Sequence, residues 1–196
     1  MRQPTGIVLL IALLFVGVAP VAARADARAD LLAAQQKMMD SRFVIDMNST
    51  SDGETTKMHS EYDTIKRIHA KTPDMELVIL PDGTWMRSAD GEWQQQPLMS
   101  MMVKRFVPMS VEDMKDSITN VEDEGMKQWK GKPARVISWD TETRVLLFKV
   151  QSHNRAWIDG NGRIVHTEAE STTRGRKTGV SQDIRYDDSI RVVAPA

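Results

Sequence analysis

Apolar and polar side chains alternate along most of this chain, which is the pattern of half-buried strands. Phe43, Ile45 and Met47 occupy every second position, whereas residues 77–80 are continuously apolar and predict a short strand covered on both faces. Asp-Gly pairs separate such runs and occur at 52–53, 82–83, 90–91 and 159–160. Because Asp-Gly favours tight turns between antiparallel strands, the pattern predicts a series of hairpins and hence an antiparallel sheet.

The same strand pattern continues towards the carboxyl end of the chain. It predicts strands at 121–125, 131–139, 154–158, 163–173, 177–186 and 190–193. Residues 143–150 fit either a strand or a helical turn. No long linker, low-complexity stretch or charge block divides the chain, so we expect residues 26–196 to form a single domain.

Two segments have helical rather than alternating spacing. Residues 26–40 contain no Gly or Pro and carry an apolar stripe, which predicts one amphipathic helix. Residues 97–118 predict two short helices broken near Pro108, the second starting at a capping box formed by Ser110 and Asp113. The apolar residues of this insert cover most of its circumference, which is typical of a lid or plug rather than of a surface helix.

The turn at residues 80–84 contains Pro81 and Gly83. It suits a three-residue turn with Gly83 at positive φ, because glycine adopts that conformation without steric cost. This geometry would pair Ile79 with Trp85.

The next turn leaves two registers open. A two-residue turn at 90–91 would pair Ser88 with Trp93 and put Trp85 and Trp93 on opposite faces of the sheet. A three-residue loop would pair Arg87 with Trp93 and put both tryptophans on the same face. In either register we interpret the tryptophans as part of the sheet wall rather than as a binding motif.

The first residues have the pattern of a secretory signal peptide. Arg2 precedes the apolar run from Ile7 to Val18, and Ala23-Arg24-Ala25 offers a cleavage site. An uncleaved membrane anchor is the alternative, but Pro20 and the cleavage-site pattern argue against it. We therefore expect cleavage near Ala25 and a secreted protein.

Composition excludes several classes of partner. Without Arg2 and Arg24, 24 basic side chains face 27 acidic ones, so the field that nucleic acids and anionic membranes require is missing. The chain has no cysteine, which excludes disulfides, thiol chemistry and lipid attachment at a cysteine. It has thirteen methionines against two tyrosines, and methionine suits irregular or variable apolar surfaces.

No pattern of catalytic or metal-binding residues is present. The four histidines are scattered without an HExxH motif, and there is no GxSxG or phosphate-binding glycine loop. If Ile158 pairs with Arg163, His166 would oppose Arg155, and we expect this histidine to face solvent. The carboxylates at 122–124 and 187–188 are predicted to lie at exposed strand ends. We expect no enzymatic activity, no metal and no cofactor.

The methionine-rich insert leaves two interpretations open. Met99, Met101, Met102, Phe106 and Met109 are too apolar for an exposed loop. They either complete the core of a sheet that is covered on one side, or they cover a cavity that holds an apolar ligand.

The order of elements and four short motifs resembles the periplasmic LolA/LolB-like lipoprotein-carrier superfamily. The motifs lie at 91–97, 125–134, 157–162 and 186–195. The resemblance covers most of the chain after residue 25. It implies an α+β, mainly β fold in which a curved antiparallel sheet forms a half-open barrel, covered by the amino-terminal helix and the helical insert.

In that superfamily the concave face takes the acyl chains of lipoproteins or lipids, so the resemblance implies a soluble, non-lipidated carrier. The expected partner is a lipid or acyl chain, with an envelope membrane protein as a further partner, and the carrier is expected to be a monomer. An envelope sensor or interaction module without a stable ligand is the alternative function. The predicted apolar lining comprises Phe43, Ile45, Met47, Leu77, Ile79, Met86, Met101, Met102 and Phe106.

Overall fold

The strands of this computed structural model form one antiparallel sheet. The structure describes residues 26–96, 106–145, 148–173 and 175–195; the predicted signal peptide lies outside these ranges. The strands are β1 Phe43–Ser51, β2 Glu54–Thr64, β3 Arg67–Lys71, β4 Met75–Leu80, β5 Gly83–Ser88, β6 Gln94–Gln96, β7 Ile118–Trp129, β8 Lys132–Val145, β9 Phe148–Ile158, β10 Ile164–Thr173 and β11 Arg176–Tyr186.

The sheet consists of two meanders that meet at the first and last strands. Its order is β6-β5-β4-β3-β2-β1-β11-β10-β9-β8-β7, so β1 and β11 are neighbours and β6 and β7 are the edges. The sheet is therefore open, which confirms the predicted half-open antiparallel barrel. Residues 143–145 and 148–150 are strand, which resolves the ambiguity left by the sequence.

Two helices cover one face of the sheet. Helix α1, Ala27–Met39, is capped by Asp26 and buries Leu31, Ala34, Gln35 and Met38. Helix α2, Val111–Ser117, begins at Ser110, whose Oγ accepts the Asp113 backbone N–H at 3.1 Å. Both helices were predicted, as was the cap at Ser110; residues 97–105, which contain most of the other helix predicted in the insert, lie outside the described residues.

The alternation of side chains separates an inner and an outer face. Phe43 and Ile45 point towards the helices, whereas Val44 between them points away. The inner face, defined as the face under α1 and α2, carries a continuous apolar cluster to which both meanders contribute. We call it the inner cluster; its buried members include Leu31, Phe43, Ile45, Tyr62, Ile68, Leu77, Ile79, Met114, Ile118, Ile137, Ile158, Ile164 and Ile184.

The carboxyl-terminal residues cover part of the outer face. Ile190 and Val192 are buried against Val44, Val78 and Leu80. The predicted strand at 190–193 is wrong, because these residues do not pair with a strand of the sheet. Their burial explains the apolar alternation that suggested a strand.

The turn after β4 differs from the predicted one. Leu80 pairs with Gly83 and Val78 pairs with Trp85, so the loop has two residues and the predicted Ile79–Trp85 pair is wrong. Gly83 does not have a positive φ. A Cβ atom at Gly83 would lie 2.8 Å from Gln95 Nε2 and 2.9 Å from Trp85 Cη2, so the glycine is needed for close approach.

The register of β5 and β6 decides the orientation of the tryptophans. Met86 pairs with Gln94, which places Arg87 opposite Trp93. Trp85 and Trp93 both pack against the buried outer-face cluster that contains Val44, Val78 and Leu80, so the two tryptophans share one face of the sheet. The Arg87 guanidinium carbon lies 4.7 Å from the centre of the Trp93 ring.

Substituting Gly83 with Ala is expected to lower the free energy of unfolding by about 1–2 kcal/mol, because the new methyl group overlaps Trp85 and Gln95. Urea denaturation would measure the loss. Gly160→Ala is the control, since no atom lies within 4 Å of its Cβ position and its φ is not positive. An equal loss in both variants would contradict the steric explanation.

An ion pair ties edge strand β7 to β9. Glu124 was predicted at an exposed strand end, but its side chain is only 19% exposed and it accepts a hydrogen bond from Arg155 Nε at 2.9 Å. Burial by itself would raise the pKa of Glu124. Hydrogen bonds from Lys127, Arg155 and Ser138 outweigh burial and lower this pKa to about 2.

Because the folded-state pKa of Glu124 lies below its usual value of 4.5, its contribution to stability is complete above about pH 4.5. The contribution disappears as the pH falls towards 2. Glu124→Gln is therefore expected to lower the unfolding free energy by about 1–2 kcal/mol at pH 7, with the difference shrinking below pH 4. Urea titrations at several pH values test this, and Glu122→Gln, at an exposed position two residues away, should have little effect at any pH.

Candidate functional site

The predicted lining residues that the structure describes come together on the inner face. Phe43, Ile45, Leu77 and Ile79 are 0–5% exposed and belong to the inner cluster. Met47, Met86 and Phe106 are half-buried and pack against it. Met101 and Met102 lie outside the described residues.

Residues 106–110, which we call the lid segment, are fastened to the inner face by two hydrogen bonds. Tyr62 Oη donates to the Phe106 carbonyl at 2.9 Å, and Gln35 Nε2 donates to the Met109 carbonyl at 2.9 Å. Tyr62 belongs to β2 and Gln35 to α1, so the lid segment is bonded to both the sheet and the helix. A weak sequence signal existed for Gln35, because it is a polar residue on the apolar stripe of α1.

Aromatic rings form a row across the inner face. The rings of Phe43 and Tyr62 are stacked with centres 4.4 Å apart, and Tyr186 lies 6.4 Å from Phe43 on the other side. Burial raises the pKa of Tyr62 to about 12. Its hydroxyl therefore stays protonated at physiological pH and remains a donor to the lid segment.

Helix α1 is held over the inner cluster by polar contacts at its rim. Asp30 accepts a 2.5 Å bond from Arg135 on β8, and Arg28 donates to the Lys115 carbonyl of α2 at 2.6 Å. Near its other end, Lys37 donates to the Asn161 carbonyl at 2.5 Å. These bonds are exposed or half-exposed, so each contributes only modestly to holding α1 over the inner cluster.

A cleft of about 1170 Å³ lies near the carboxyl ends of β1, β8 and β10 and the amino ends of β9 and β11. None of the predicted apolar lining residues that the structure describes belongs to its walls. Its walls contain Thr50, Asp140, His153, Glu170 and Lys177, together with other hydroxyl, amide and charged side chains and glycines. A cleft with this lining is unsuitable for an acyl chain, because apolar groups gain little by contact with polar walls. The inner face therefore remains the better candidate.

The four histidines all pair with carboxylates. The bonds are His59–Asp46 at 2.6 Å, His69–Glu76 at 2.7 Å, His153–Asp140 at 2.8 Å and His166–Asp183 at 2.8 Å. Among the described residues, no group of three or more His, Cys, Asp or Glu side chains could hold a metal ion.

His166 differs from its prediction in both position and exposure. The register shifts between Ile164 and His166, so His166 lies opposite Trp157 while Glu168 opposes Arg155. The His166 side chain is almost fully buried and stacks on Trp129 with the ring centres 3.6 Å apart. The prediction that His166 faces solvent is therefore wrong, because a bulge in β10 places its ring against Trp129.

Comparison with solved structures identifies the fold. The crystal structure of the Mycobacterium tuberculosis lipoprotein LppX has a TM-score of 0.58 at 10% identity, over 85% of this chain and 98% of LppX. LprF from Mycobacterium bovis has a TM-score of 0.56 at 10% identity, over 87% of this chain and 97% of LprF. The chain has a LolA/LolB-like fold. No protein-family model and no curated protein matches the sequence.

The LolA/LolB-like fold confirms the resemblance inferred from the sequence motifs. At 10% identity the likeness establishes the fold alone. No helix within the described residues has both the length and the apolar character needed to cross a membrane.

Tyr62→Phe removes only the hydroxyl that binds the Phe106 carbonyl and keeps the stacked ring. We expect faster amide hydrogen exchange across residues 106–110 and a stability loss of about 1 kcal/mol. Tyr186→Phe is a matched control, because the Tyr186 hydroxyl donates to the Ile164 carbonyl within the sheet. Equal exchange at the lid segment in both variants would rule out the Tyr62 bond as a fastening.

Proposed function

We propose that this protein binds an apolar ligand, such as an acyl chain, between the inner cluster and the covering helix and lid segment. The observation that carries the proposal is the convergence of the predicted lining on one face. Seven residues from separate parts of the sequence form a single apolar surface there. We propose that binding is non-enzymatic and takes place in the periplasm.

The covering elements support ligand entry at the inner face. The lid segment is fastened by neutral hydrogen bonds from Tyr62 and Gln35, and α1 by polar contacts at its rim. Breaking the bonds of the lid segment exposes polar groups that water can satisfy, so this segment can separate at moderate cost. Displacing α1 also exposes its buried Leu31 and Met38, which the apolar surface of the ligand would have to cover again. Apolar side chains that face the cover would then contact the ligand.

Burial of apolar area supplies the binding free energy. At roughly 25 cal/mol per Å², a sixteen-carbon chain that buries several hundred Å² would contribute on the order of 10 kcal/mol before the cost of ordering. Half-buried methionines suit this role, because an unbranched thioether adapts to chains of different shape. Met47 and Met86 hold such positions on the inner cluster.

An interaction module without a stable ligand is the second candidate. It is favoured by the near-complete burial of Phe43, Ile45, Leu77 and Ile79 under the protein's own side chains. In this case the inner cluster is a permanent core, and the exposed surface engages an envelope protein.

Met47→Glu tests the proposal by placing a carboxylate on the predicted lining. We expect uptake of a neutral fluorescent lipid to weaken at least about tenfold, because burying the charge beside the acyl chain is unfavourable. Fluorescence titration would measure the affinity, and native mass spectrometry after mild extraction would detect lipid that co-purifies with the protein.

Met126→Glu is the matched control, since Met126 is 66% exposed on edge strand β7. Thermal unfolding of both variants would separate loss of binding from loss of fold. If the purified protein carries no bound lipid and takes up no fluorescent lipid, the result would favour the interaction module instead.

A further inference from the structure

We propose that Arg163 is an anion-binding residue at the rim of the inner face, where it binds the negatively charged head of an amphiphile. The apolar part of this amphiphile lies against the inner cluster. The inference rests on the proposed function and specifies its ligand class as an apolar chain bearing a phosphate, sulfate or carboxylate group.

Among the described residues, none hydrogen-bonds or pairs with the guanidinium of Arg163. Its Nε atom is buried without a hydrogen-bond partner. A buried donor without a partner is rare in folded proteins and needs an explanation. Each of the other arginines whose side chains the structure describes as half-buried contacts a carboxylate, namely Arg42, Arg67, Arg87, Arg135 and Arg155.

The position of Arg163 connects it to the proposed ligand site. Its guanidinium carbon lies 4.9 Å from the centre of the Tyr186 ring. Across the sheet, the Phe43 ring lies next to Tyr186 and the Tyr62 ring lies next to Phe43. The Tyr62 hydroxyl forms a hydrogen bond with the lid segment. The aromatic row therefore leads from the lid segment to Arg163, with the inner cluster alongside.

A second cation lies at the same turn as Arg163. Lys37 of α1 donates to the Asn161 carbonyl, two residues before Arg163. The Oδ1 atom of Asp159 accepts the backbone N–H groups of Asn161 and Arg163, both at 2.9 Å. The Asp159 carboxylate is therefore bonded to the backbone of the turn, and Lys37 adds a positive charge to this turn.

The chemistry of this turn matches an oxyanion. A guanidinium presents several N–H donors in a planar fork, which suits phosphate and carboxylate oxygens better than a single ammonium does. The guanidinium lies over the Tyr186 ring, and this contact restricts where the fork can be placed. An amphiphile could then place its head at Arg163 and its chain along the aromatic row.

Calorimetric titration with two lipids of equal chain length tests the proposal. Lauroyl lysophosphatidate carries a phosphate, whereas monolauroylglycerol has the same acyl chain without the charge. Arg163→Gln is expected to raise the Kd of the phosphate lipid about tenfold or more and to leave that of the neutral lipid unchanged. Arg163→Lys should have an intermediate effect, because it keeps the charge but loses the fork.

Arg185→Gln is the matched control, since it removes one exposed positive charge from the opposite face beside Val44. Thermal unfolding verifies that each variant is folded. Equal affinity of the wild-type protein for both lipids, or equal weakening of both by Arg163→Gln, would overturn the proposal and leave the apolar site intact.

Inorganic phosphate alone separates this inference from the proposed function. If neither lipid binds but phosphate does, and Arg163→Gln weakens phosphate binding, Arg163 is a site for a free anion and the apolar-ligand function fails. Absence of binding for all three probes would overturn both proposals.

Discussion

The pairing of β1 with β11 holds the two halves of the sheet together. It joins two meanders that are otherwise separate in sequence, so that residues near both ends of the described chain share one sheet. Phe43 faces Tyr186 and Ile45 faces Ile184 across this pair. Without this pairing the inner cluster would be divided into two smaller apolar surfaces.

Burial on the two faces follows from the alternation of side chains along these strands. The helices cover the inner face, while the carboxyl-terminal residues cover one apolar patch of the outer face. The outer face also carries all four histidines, each hydrogen-bonded to a carboxylate. The larger continuous apolar cluster lies on the inner face, which favours that face for an apolar ligand.

Tyr62, Gln35 and Arg163 extend the candidate site beyond its apolar surface. Tyr62 and Gln35 use their donors on the lid segment, while the Nε donor of Arg163 is buried without a partner beside Tyr186. Polar groups in an apolar site cost free energy unless they are paired, so their placement restricts what can bind. They turn a general apolar surface into one suited to an amphiphile with a defined head.

Local patterns predicted the elements well but not how they meet. The helix at 26–40, the helix cap at Ser110 and the apolar run at 77–80 follow from short-range spacing, and all three are present. The turn at Gly83 was misread, because its glycine serves close approach by Trp85 rather than a positive φ. The bulge that buries His166 left no sign in the sequence.

Which residues alternate, where the hairpins turn and which strand faces are apolar can be read from short stretches of sequence, because these properties depend on neighbours a few positions apart. Three other features emerge only in the folded chain: Trp85 and Trp93 share a face, residues 190–193 cover the sheet without joining it, and the Nε atom of Arg163 lies without a partner beside Tyr186. These outcomes depend on strand register and on contacts between distant segments. A shift of one residue reverses the face of every side chain in a strand, and local spacing cannot fix that register.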